Sequence, residues 1–157
     1  MMHPLFALAR SRVVLFDGCI GAELIRQGLR ADECPESWNL TRPEALSALH
    51  RAYFDAGCDV VSANTFGANP IKLRGYGLED RAAELISAGV RLVREAMPAG
   101  RYCAGDIGPT GVFRMPGDRE AIRAFEAAYE TQAGCLAGAG VDLILIEIGR
   151  ASCRERV

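Results

Sequence analysis

Four polar stations in this chain share one setting: each follows directly on a short apolar run. Asp17-Gly18 follows "VVLF", and Asn64-Thr65-Phe66-Gly67 follows "DVVSA". Asp106-Ile107-Gly108-Pro109-Thr110-Gly111 follows "RYCAG", and Glu147 follows "VDLILI". An ionised carboxylate at the end of such a run is costly to bury unless something pairs with it. Glu147 is therefore a candidate binding or catalytic group. The others each have a plainer reading. Asp17 before a glycine can cap a helix, Asn64 and Thr65 can form a turn, and "GPTG" can be a tight loop. "DGCIGAE" is neither a GxGxxG fingerprint nor a Walker A loop, which weighs against a nucleotide site. His3 and His50 stand at no metal-binding spacing, and His50 is expected on a helix, partly exposed. The six cysteines, Cys19, Cys34, Cys58, Cys103, Cys135 and Cys153, include no CxxC pair, whereas zinc sites usually show such pairs. They read as reduced thiols filling small core sites in a cytoplasmic protein.

The elements that must position these groups can be read from the same runs. Val13–Phe16 is expected as a buried strand. "CIGAELIRQGL" should be a helix with Ile20, Leu24 and Ile25 on one face and Gly28 as its stop. Arg30 to Asn39 looks irregular. "TRPEALSALHRAYFDAGCD" predicts a helix in which Thr41 and Glu44 have capping-box spacing. Pro43 suits its first turn, Leu46, Leu49, Tyr53 and Ala56 form its apolar stripe, and Gly57 supplies the left-handed stop. "DVVSANTF" is the second strand. Leu78–Met97 is a helix striped by Leu85, Val93 and Ala96, and "RYCAGDIG" is the third strand. Asp118 can cap a helix running to about Ala137, striped by Ile122, Phe125, Tyr129 and Leu136, and "VDLILIE" is the fourth strand. Continuous apolar runs, rather than alternating ones, mark parallel strands covered on both faces. A (β/α)8 barrel draws its site from several strand C-terminal ends, whereas an open doubly wound sheet binds at one switch point. Polar groups at all four ends favour the barrel.

Composition bounds the rest. The chain has 157 residues, half of them hydrophobic, enough for one domain with a core. No apolar stretch reaches the ~20 residues of a membrane-spanning helix. The patch Pro4–Ala9 lacks the preceding basic segment of a signal peptide. A formal charge of −2 argues against a nucleic-acid surface.

Taken in order, "DGCIGAEL", "ECPESWNLTRPE", "YFDAGCDVVSANTFGANPIKL", "YGLEDRAAEL", "GDIGPTG" and "GAGVDLILIE" resemble the homocysteine S-methyltransferase family, above all the homocysteine-binding part of its methionine-forming bacterial members. The resemblance covers about Val13 to Glu147. It implies a (β/α)8 barrel and transfer of a methyl group to L-homocysteine to give methionine. It also implies a zinc ion that holds the sulfur as a thiolate. The methyl donor would be a methyl-corrinoid such as methylcobalamin, a methylfolate-derived group, betaine or S-methylmethionine. By the same resemblance Asp17 and Glu147 hold the substrate's α-amino group. Two carboxylates at one barrel mouth need a cation, and an ammonium supplies one. Thr65 would lie near the substrate's polar end, with Gly18, Asn64 and the Gly108–Gly111 loop shaping the pocket. The chain departs from the family at Ser62-Ala63, where Glu-Thr is frequent, and at Ile20-Gly21-Ala22, where Met-Gly-Thr is frequent.

From Ile148 the text "IGRASCRERV" reads as foreign sequence of the kind a translated sequencing adapter gives, so 148–157 are set aside from fold reasoning. Residues 1–147 are then expected to be the first half of an α/β barrel, with four parallel strands in sequential order and helices outside. The family's zinc ligands, a late cysteine and a terminal cysteine pair, have no match here. The expectation is a piece without catalytic residues or metal of its own, inactive alone, which self-associates through open barrel edges. Two other readings stay open. One is a different barrel enzyme that binds a small amine or phosphate at this face. The other is a non-catalytic ligand-binding piece.

Overall fold

The structure, a computed structural model, describes residues 4–112 and 118–147. The tail set aside above, 148–157, lies outside these residues. The helices are α1 (Pro4–Ser11), α2 (Ile20–Arg26), α3 (Trp38–Thr41), α4 (Pro43–Asp55), α5 (Pro70–Leu73), α6 (Ala82–Ala96) and α7 (Arg119–Ala139). The strands are β1 (Val60–Ser62), β2 (Tyr102–Ile107) and β3 (Leu143–Ile146), which pair in parallel in the order β1-β2-β3. Val61 lies opposite Cys103, and Gly105 opposite Ile144. Phe16 adds a parallel bridge to Val60. The run Val13–Phe16 thus lies beside β1, and the four runs follow one another in chain order.

One sheet face carries the main core. Val61, Ala63, Cys103 and Ile107 pack with Phe54 of α4, with Ile86, Val90 and Val93 of α6, and with Leu136 of α7. Gly105 faces the same way, and a Cβ there would lie 2.6 Å from Leu136 Cδ2, so glycine lets α7 seat on β2. On the opposite face Leu5 of α1 packs with Val60 and Ala104, joined by Val14, Tyr102 and Leu143. A first helix thereby closes that face near the strand starts, which leaves it open towards the strand ends.

Local expectations hold where a cap or a breaker decides them. Asp118 accepts the Ala121 N–H at 3.0 Å and starts α7. Pro43 opens α4, and Gly28 and Gly57 take the positive φ that ends a helix. Several expectations fail for tertiary reasons. The buried strand over Val13–Phe16 is only a bridge. It has one neighbour, so Val13 and Leu15 stay exposed, and Leu15 N–H is taken by the Asp59 carboxylate at 3.0 Å. The Thr41–Glu44 capping box does not form. "WNLT" coils into α3, and Thr41 Oγ1 donates back to Ser37 O at 3.1 Å. Ile25 and Ile122 are exposed, whereas the inner line of α7 is Ala121, Ala128, Gln132 and Leu136. His50 is fully buried rather than partly exposed. Among the described residues neither of its ring nitrogens has a hydrogen-bond partner, and burial pushes its pKa down to about 4.

Candidate functional site

The two ends of the strands treat carboxylates in opposite ways. At the N-terminal end each one is neutralised. Asp59, just before β1, accepts from Arg12 at 2.7 and 2.5 Å and also pairs with Arg101. Its carboxyl is held down at about 2, first by the hydrogen bonds from Arg12. Asp142, just before β3, pairs with Arg94 at 2.9 Å and accepts the Cys103 N–H. Such pairing belongs to stability.

At the C-terminal end the carboxylates surround a cavity of about 430 Å³. Asp17, Asp106 and Glu147 line it, each at the end of a strand or of the run beside β1, and Glu36 joins them from the "ECPESWN" segment. Burial raises the Asp17 pKa above the ordinary carboxyl value, against hydrogen bonds that oppose the rise. The leading two come from Ser62, whose N–H donates to Oδ2 at 2.9 Å and whose hydroxyl donates to Oδ1 at 3.0 Å. Asp106 is pushed up to about 7, first by burial and then by the charges of Glu147 and Asp17. Its Oδ1 is buried without a hydrogen-bond partner among the described residues. A group of this kind favours a ligand that brings positive charge or protons.

The surrounding side chains are held firmly. Asn64 lines the cavity, and its Nδ2 donates to Pro35 O at 2.8 Å and to Asn39 Oδ1 at 3.0 Å. Asn39 in turn donates to Asn64 O and Leu85 O. This ties the end of β1 to α3 and α6. Glu36 accepts the Gly67 N–H at 2.6 Å and the Cys34 thiol at 3.2 Å, and burial first pushes that thiol up to about 12. Gly18 sits under Tyr53, where a Cβ would lie 3.2 Å from the hydroxyl.

Of the predicted site residues, the fold brings Asp17, Gly18, Asn64 and Glu147 to one cavity. Thr65 is fully buried and is not among the lining residues. Its Oγ1 donates to Asp106 O at 2.9 Å and accepts from Asp106 N at 3.0 Å, so it fixes β2 instead. In the expected Gly108–Gly111 loop, Gly108 supports the cavity indirectly, because a Cβ there would meet the Phe66 ring at 2.5 Å. Sequence reasoning placed Asp106 at a strand end without giving it a role, and it missed the clamp from Ser62. The signal for Asp106 was the carboxylate in "GDIG", the same kind that marked Glu147.

A metal does not fit what is described. Among the described residues no group of three or more His, Cys, Asp or Glu is arranged to hold an ion. Cys19 is the cysteine on the cavity wall, and the described cysteines are unlinked thiols.

The homocysteine S-methyltransferase family model matches residues 14–151. The chain belongs to this family. It is 35% identical over 148 residues to methionine synthase of Mycobacterium tuberculosis and 34% identical over 148 residues to that of Mycobacterium leprae. In both cases the match covers 87% of this chain and 12% of the relative, so the chain spans about an eighth of those proteins. Among solved structures it resembles the homocysteine methyltransferase MmuM from Escherichia coli. The metallated form superposes with a TM-score of 0.73 at 25% identity, covering 92% of this chain and 57% of that one. The oxidised form gives 0.72 at 25% identity, covering 90% of this chain and 55% of that one. For a homocysteine S-methyltransferase domain, the cavity at the strand C-terminal ends lies where a barrel of parallel strands keeps its ligands.

Proposed function

We propose that this chain forms the amino-group-binding half of a homocysteine S-methyltransferase barrel, whose whole protein transfers a methyl group to L-homocysteine to give methionine. The observation that carries the reading is the contrast between the two strand ends. Asp59 and Asp142 each have an arginine, while Asp17, Asp106 and Glu147 share a cavity wall with no ion pair to any described residue. An α-ammonium supplies the missing charge and can donate several charge-assisted hydrogen bonds at once to these carboxylates. Asp17, clamped by Ser62, and Glu147 are its ligands, with Gly18 giving room beside Tyr53 and Asn64 holding the wall.

The arrangement is that of half a (β/α)8 barrel, with β3 and the run beside β1 as its open flanks. Val13 and Leu15 on one flank, and Ile144 and Ile146 on the other, are exposed apolar side chains. Such edges pair with further strands, or with another copy when those strands are lacking. The family's zinc would activate the thiol when bound. Since the described residues offer no ligand set for it, they contribute substrate binding and not thiol activation. The methyl donor, a corrinoid or a folate derivative, would approach the open mouth. No described helix is long and apolar enough to cross a membrane, and the family reading goes with a cytoplasmic enzyme.

The test is titration of L-homocysteine into the chain, followed by amide NMR, with Asp17→Asn and Glu147→Gln beside the parent sequence. Shifts should centre on Asp17, Ser62 and Asp106, and each variant should weaken binding ~10-fold or more. Binding that ignores both substitutions would remove the ammonium-site reading.

A further inference from the structure

The cavity has a second pole. Of the sixteen residues that line it, Lys72 is the one with a basic side chain, set against four carboxylates. It is also the single lysine among the 18 lysines and arginines of the chain. Its place is built. Asn69 caps α5 by accepting the Lys72 N–H at 2.9 Å. The Lys72 stem runs through the space above Gly67, where a Cβ would lie 3.0 Å from both Cδ and Cε. The tip ends over the Phe66 ring, with Nζ 4.9 Å from its centroid. Glu36, whose Oε1 also borders Gly67, already accepts from Gly67 and Cys34. Among the described residues no salt bridge to Lys72 is formed. A ring face steadies an ammonium without neutralising it, so the charge stays available to the cavity.

We propose that Lys72 is a specificity-determining residue that binds the α-carboxylate of the substrate, so that the cavity selects an amino acid rather than a simple amine. This rests on the reading of the cavity as the homocysteine site. A zwitterion carries both charges close together, and a wall of carboxylates alone would repel its anionic end. Lys72 supplies the opposite pole. The lysine stem passes over Gly67 and carries a compact point charge to the Phe66 face, where a carboxylate can approach it.

The experiment compares L-homocysteine with 3-aminopropane-1-thiol, the same molecule without its carboxylate, under reducing conditions and by calorimetry or NMR. The chain carries in turn Lys72, Lys72→Met and Lys72→Arg. The expected result is that the parent sequence prefers homocysteine ~10-fold or more. Lys72→Met should lose that preference through weaker homocysteine binding with the amine unchanged, and Lys72→Arg should keep part of it. Asp17→Asn, in contrast, should weaken both ligands together. If homocysteine binds but the parent shows no preference, or if Lys72→Met weakens both ligands equally, the assignment of Lys72 is overturned and the ammonium site stands. If neither ligand binds the parent chain, the homocysteine site itself falls, and Lys72 with it.

Discussion

Replacing Asp106 with asparagine should make the protein more stable at and above neutral pH while leaving it unchanged below about pH 4. The folded-state carboxyl sits at about 7 against an ordinary 3.8. Below about pH 4 the side chain is protonated in both the folded and the unfolded chain. Between these values the folded state holds a proton that the unfolded state has lost, so stability falls as pH rises. Above 7 the cost levels off. Three units at ~1.4 kcal/mol each set a ceiling of about 4 kcal/mol. Asp106 is only partly enclosed, and solvent screening brings the expected effect to about 2 kcal/mol. Asp17, raised in the same direction by burial, adds a slope of the same sign that the substitution leaves in place. The assay is urea unfolding of both proteins from pH 3.5 to 8.5. Their midpoints should coincide below about pH 4, separate progressively from there to pH 7 and stay apart above it, with Asp106→Asn the more stable. An ammonium ligand should pull the Asp106 pKa down and release a proton near pH 7, visible as binding heats that vary with the buffer's ionisation enthalpy. A pH-independent difference, or a variant less stable at pH 8, would refute the reasoning.

Three further outcomes follow from the same geometry. Asp59, held at about 2 by Arg12, contributes stability that is present above pH 4 and is lost as pH falls from about 4 through 2. Asp59→Asn should lower the urea midpoint at pH 7 and flatten that acid limb. Gly108→Ala should cost about 1–3 kcal/mol and shift the Phe66 ring resonances, because the new Cβ would lie 2.5 Å from Phe66 Cε2 and Cζ; unchanged ring shifts would contradict the packing. Asn39→Leu removes the amide donor to the Asn64 and Leu85 carbonyls and the acceptor of one Asn64 amide bond, and should cost about 2–4 kcal/mol in chemical unfolding.

The sequence by itself determined the elements and their order. A cap at Asp118, a proline at 43 and glycines at 28 and 57 act through local backbone geometry, and continuous apolar runs declare parallel strands wherever they pair. It also marked Glu147, because a carboxylate after an apolar run is conspicuous before any partner is known, whereas Asp17, which could equally cap a helix, was singled out only by its place in the family motif. What it could not decide were properties of contact. Whether Val13–Phe16 is buried depends on how many neighbours it has, and with β1 alone beside it the run stays exposed. Which way Asp106 faces depends on the pairing of β2 with β3, where Gly105 lies opposite Ile144 and Asp106 opposite Leu145. That register turns Cys103, Gly105 and Ile107 to the helices and leaves Asp106 to the cavity. Thr65 was marked by its place in a motif, but its hydroxyl lies within reach of the Asp106 backbone only once the strands pair. His50 lies on a helix in either reading, yet only packing around α4 makes it a buried, neutral ring. Local chemistry is written in nearest neighbours along the chain, whereas burial, side-chain direction and charge pairing arise between residues some forty positions apart, as with Asp17 and Ser62 or Thr65 and Asp106, and those distances exist only in the folded structure.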